Sequence, residues 1–137
     1  MPLAEDIGSY LTDRSLVGGT TGWTLAVQWL PSTPDRVVGV FEFSGLPPTG
    51  RRDYDQPGIQ IRVRCADGDT VNETEAALAK MDAIYDALHS PDYFPQTING
   101  TLYCEMVAQE SGVLPLGRDQ NNRPEFSRNF VVLRAVT

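Results

Sequence analysis

Arginine and aspartate are the residues of this chain whose types and spacing invite chemistry. Two pairs of carboxylates stand two residues apart, Asp53 with Asp55 and Asp67 with Asp69, each among turn formers. A calcium loop needs five or six oxygens in a set order and a closing glutamate. Neither stretch supplies them, and aspartate bonding to its own backbone accounts for both. Zinc fares worse, because Cys65, Cys104 and His89 are far apart in the chain. His89, the sole histidine, falls at the end of a predicted helix, where an imidazole caps the negative end of the dipole. No local pattern sets a nucleophile or carboxylate beside it. Gly18-Gly19-Thr20-Thr21-Gly22 lacks the lysine of a phosphate loop and precedes a strand, which makes it a linker. No catalytic, cofactor-binding or metal-ligating set emerges, and the chain is not expected to be an enzyme.

Docking chemistry is better supplied. Arg62 and Arg64 alternate on the polar face of a predicted strand. Arg51, Arg52, Asp53 and Asp55 crowd one turn-rich segment, and Arg118, Asp119 and Arg123 another. Arginine pairs with carboxylates in two-pronged fashion across subunit contacts, so these residues form the candidate interface set. The alternative is a solvated, charge-mixed surface. Glu75, Asp82 and Asp86 line the polar side of the long predicted helix, where they are either solvated or face a shared acidic bore.

The elements that must carry these groups follow from periodicity. Leu3 to Leu16 has helical spacing at Leu3, Ile7, Tyr10 and Leu11. Trp23 to Leu30 alternates, with Trp23, Leu25, Val27 and Trp29 on one face. Val37 to Phe43 is apolar at both parities early on, as a central strand is. Ser44 to Gln56 is a long irregular loop. Ile59 to Ala66 then alternates strictly, with Ile59, Ile61, Val63 and Cys65 against Gln60, Arg62 and Arg64. Residues 71–89 form a helix opened by a capping box at Thr70 and Glu73, with Leu78, Met81, Ile84, Tyr85 and Leu88 as its stripe. Burying that stripe on the Ile59–Cys65 face stabilises the fold by roughly 7–15 kcal/mol gross. Leu102 to Glu110 and Glu125 to Val136 are the last strands, with a turn-rich loop from Val113 to Pro124 between them.

The chain has 137 residues, 41% of them hydrophobic, which fits one domain over residues 1–137 with its own core. Its formal net charge is −7, from 18 acidic and 11 basic residues. That balance excludes a basic footprint for gripping nucleic acid, yet suits a passage through which nucleic acid slides without sticking. No apolar run reaches the length of a membrane span. The first residues lack the order of a secretion signal, so the sequons at Asn72 and Asn99 are expected to be chance matches. Cys65 and Cys104 fall in predicted strands and form a disulfide only if those strands are neighbours; otherwise they are buried thiols in a reducing compartment.

Certain stretches resemble a known family. They are Leu30-Pro31-x-x-Pro34-Asp35, Phe41-Glu42-Phe43-Ser44-Gly45, Pro57-Gly58-Ile59-Gln60-Ile61-Arg62-Val63-Arg64 and Ala83-Ile84-Tyr85-Asp86-Ala87-Leu88. Pro115 to Asp119 and Arg123 to Phe130 add a looser likeness. Together they resemble the minor capsid or tail terminator proteins of long-tailed bacteriophages. The resemblance implies an α+β fold, a mostly antiparallel mixed sheet of about 4–5 strands with two helices packed on one face. It implies a ring, usually a hexamer, at the head-proximal end of the tail tube. There it ends tube polymerisation and docks to the neck connector, while DNA passes through the bore without specific binding. It implies no cofactor, no membrane contact, a place in the virion, and host cytoplasm during assembly. The alternatives are another head–tail neck component or a small ligand-binding α+β domain.

Overall fold

The computed structural model of the chain describes residues 3–46, 54–67, 71–90 and 92–135. Its elements are α1 (Leu3–Asp13), β1 (Thr24–Val27), β2 (Val37–Phe43), β3 (Tyr54–Asp55), β4 (Gly58–Arg64), α2 (Val71–Leu88), β5 (Gln96–Ile98), β6 (Thr101–Ala108), β7 (Leu114–Arg118) and β8 (Pro124–Ala135). The strict alternation at Ile59, Ile61 and Val63 makes β4, whose apolar side is wholly buried. Met81, Ile84 and Leu88 of α2 share one core cluster with that side. The buried face of α2 centres on Ala77, Met81, Ile84 and Leu88, with Leu78 and Tyr85 at its margins. The expected stripe is thus turned by a fraction of a residue.

The strands run in the order β1-β2-β4-β8-β6-β5, with β3 and β7 also pairing with β8. Among the described strands only β1 and β2 pair in parallel. β8 is the spine: β4 and β3 lie along one of its edges, β6 and β7 along the other. Helix α2 packs over β4, β8 and β6, while α1 touches β1 and β2 and also β5, at the opposite end of the strand order. A sheet whose two ends reach one helix must curl around it, as right-handed strand twist allows.

Among the described residues the sheet has eight strands rather than 4–5. The extra ones are short and sit in segments whose composition reads as turn. Asn99 and Gly100 take φ of 49° and 84°, the two left-handed residues of a tight hairpin turn, and join β5 to β6. β3 lies inside the expected 44–56 loop, and β7 inside the expected 113–124 loop.

The first strand is shorter than its alternation predicts. Gln28 adopts φ 68°, its side-chain amide bonds to Glu42, and the ladder stops at Val27. Trp29 consequently stands 61% exposed instead of joining Trp23 in the core.

The cysteines follow the thiol reading, and one further expectation changes. β8 separates β4 from β6, so Cys65 and Cys104 are not on adjacent strands and both are free thiols. Burial pushes both thiols up from their ordinary value. The His89 ring bonds to a neighbouring strand rather than to the end of its own helix. Its Nδ1 accepts the Ala108 N–H at 3.0 Å, and the ring stacks on Tyr85. Through that accepting nitrogen His89 ties the end of α2 to β6.

Candidate assembly surfaces

The sequence-derived contact residues fall into three structural classes. Arg51, Arg52 and Asp53 lie outside the described residues, as does Thr70 of the expected capping box.

The second class is internal. Arg64 and Arg123 are 2% and 4% exposed, which removes them from the surface. Arg64 donates from Nε to the Asp35 carbonyl at 3.0 Å and from Nη2 to the Pro34 carbonyl at 2.7 Å. Arg123 donates to the Ser32 carbonyl at 2.6 Å and to Asp119 at 2.8 Å, and reaches Asp35 at 3.2 Å. Together they clamp the β1–β2 connection to the turn between β7 and β8. Burial, with the like charge of Arg123 beside it, lowers the pKa of Arg64. Burial alone would push Asp119 up. The main-chain and guanidinium donors of Arg123 and the Asn121 N–H outweigh that and hold it below the usual carboxylate range. Asp55 is likewise an internal partner, accepting two bonds from Arg134 at 2.8 and 3.1 Å.

The third class is at the surface. Arg62 is half-buried; it stacks 4.7 Å over the Phe41 ring and donates to Gln60. Arg118 is exposed at the end of β7 and donates to the Asn122 carbonyl. Glu75, Asp82 and Asp86 are all exposed and form one stripe along the outer side of α2.

Several structural residues had no place in the sequence-derived set. Asp6 of α1 is 1% exposed and accepts bonds from the Tyr103 hydroxyl and the Asn99 amide. Burial, then the bond to Asp6, pushes Tyr103 far up from the ordinary tyrosine value. Arg128 is buried against the Tyr85 ring at 3.9 Å and donates to the Glu110 and Ser111 carbonyls. A signal for Arg128 and Arg134 was present, because both share the strand parity of Phe126, Phe130 and Val132.

Among the described residues, two apolar surfaces remain uncovered. All five residues of β7 are exposed, Leu114 by 51% and Leu116 by 40%. On the sheet face away from the helices, Leu46, Val107, Val131 and Leu133 line a groove of about 570 Å³ with Glu105 at its side. Among the described residues no group of three or more His, Cys, Asp or Glu side chains is placed to hold a metal. No described helix is long and apolar enough to cross a membrane.

A family profile described as bacteriophage tail terminator protein matches residues 10–134. The chain belongs to the bacteriophage tail terminator family. Among solved structures, this tail terminator is similar to a chain of the virion of a native gene transfer agent particle, with a TM-score of 0.67 and 11% identity. That match covers 98% of this chain and 96% of the other. A second solved chain matches with a TM-score of 0.54 and 12% identity, covering 99% of this chain and 92% of the other. At such identities the likeness establishes a shared fold. No curated protein matches. Membership makes the tail terminator a structural component of a phage tail, with its place in the virion among other virion proteins.

Proposed function

We propose that this tail terminator closes into a ring, a hexamer, at the head-proximal end of the tail tube, ends tube polymerisation there and presents a docking face to the neck connector. The family match over residues 10–134 is the observation that carries this proposal. The surfaces support it physically. A ring needs two unlike patches that meet head to tail, and the exposed β7 strand and the sheet-face groove are unlike and lie apart. The chain acts as one unit, assembled in the host cytoplasm before it joins the particle. Arg62 and Arg118 are its surface cations for neighbouring carboxylates, with Arg51 and Arg52 beside them in sequence-derived rank. The stripe of Glu75, Asp82 and Asp86 faces the bore, where like charge repels phosphates and lets the genome slide.

Sedimentation and electron microscopy of the purified protein, alone and mixed with tail-tube subunits, test this. Closed rings, or density on one tube end, are expected. A protein that stays monomeric and leaves tubes bare overturns it.

A further inference from the structure

We propose that β7 of one copy seats in the sheet-face groove of the next, with Leu114 and Leu116 entering the groove and Arg118 set against Glu105. This contact rests on the ring reading above and names its interface.

β7 pairs with β8 along one edge, and no described strand pairs with its other edge. An apolar edge strand left open invites association. Its chemistry decides the kind. Pro115 offers no N–H, and a bulge interrupts the strand between Pro115 and Gly117, so it is a poor template for adding another strand. Its side chains are the better handle, and side chains need a face to enter.

The groove supplies that face. Leu46, Val107, Val131 and Leu133 give it aliphatic walls, and its volume of about 570 Å³ exceeds what one leucine fills. β7 cannot reach the groove of its own chain. It opposes residues 124–127 of β8, whereas the groove is built at Val131 and Leu133. The nearest residue of β7, Leu114, opposes Ser127, so Val131 and Leu133 lie about 13 to 20 Å further along one rigid strand at about 3.3 Å per residue. The occupant is therefore a second copy, and because strand and groove differ, each copy gives one and receives the other. Such contacts continue from copy to copy and close into a ring when the rotation allows.

Charge fixes the orientation. In a chain of net charge −7, contacts between copies meet general repulsion. Arg118 at the end of β7 and Glu105 beside the groove are exposed and opposite in sign. Opposed charges of this kind set register more than affinity.

The test is cross-linking between variants that each carry one exposed cysteine. In a Cys104→Ser background, with Cys65 fully buried, Leu116→Cys and Val107→Cys are made separately and assembled on tail-tube subunits under mild oxidation. A mixed disulfide dimer is expected when the two variants are combined and absent when each is alone. Leu114→Ser with Leu116→Ser is expected to weaken assembly by roughly tenfold or more while leaving monomer unfolding unchanged, since both leucines are already exposed. Wild-type rings with no mixed cross-link and no loss on the double serine change overturn this contact and leave the ring reading standing. A wild-type chain that never assembles overturns both.

Discussion

Arg123 shows how a surface-type residue becomes structural. Its guanidinium is buried and joins Asp119, Asp35 and the Ser32 carbonyl in one clamp. Arg123→Ala removes the guanidinium bonds to Asp119 and the Ser32 carbonyl, although the main-chain donors to Asp119 remain, and is expected to cost roughly 2–4 kcal/mol in urea unfolding. Arg123→Lys should recover little, because one ammonium cannot reproduce the fork. Glu73 sets a pH dependence. It accepts from the Arg36 guanidinium and from the Ala66 N–H, and the bonds from Arg36 hold its carboxyl below the usual range. Its contribution is complete above the unfolded-chain value of about 4.3 and is lost as pH falls through the depressed folded value. Glu73→Gln should therefore lower the unfolding midpoint at pH 7, with the gap to wild type closing as pH falls through the depressed folded value. The candidate arginines were legible in the sequence as a class, but their fates were not. Arg62 and Arg64 share one strand face, yet only Arg64 meets the Pro34 and Asp35 carbonyls. That meeting depends on where a distant loop folds back.

At the scale of elements, long periodic runs were legible and short strands were not. β2, β4 and α2 lie within two residues of their predicted bounds, because each buries a continuous apolar face. β7 escaped notice because Pro115, Leu116 and Gly117 lack alternation, and its pairing comes from β8 rather than its own pattern. The Asn99-Gly100 hairpin did carry its signal, since that dipeptide favours the turn strongly. Gly100→Ala meets open space but is strained at φ 84°, and is expected to cost about 1–2 kcal/mol in thermal or urea unfolding. Met81→Ala, at the centre of the α2–sheet contact and 0% exposed, should cost roughly 2–5 kcal/mol. A smaller loss would mean that α2 is not the main cover of the sheet.

At the scale of the whole molecule, the helices cover one side of a curled sheet, and the described residues leave a groove open on the other. The buried polar links run inward: Asn99 to Asp6, Asp6 to Tyr103, and Arg134 to Asp55 join α1, β6, β8 and β3. They brace the frame on which the exposed β7 strand and the groove are mounted. Rigid mounting suits the ring proposed above, whose copies would meet at one fixed angle. The central claim is that this tail terminator stops tube growth by occupying the tube end, and tube length tests it most directly. Tail-tube subunits would be polymerised with increasing amounts of the protein and measured by electron microscopy. The account predicts that tubes shorten as the protein rises, each carrying added density at one end. Tubes of unchanged length, with bare ends at every ratio, would contradict it.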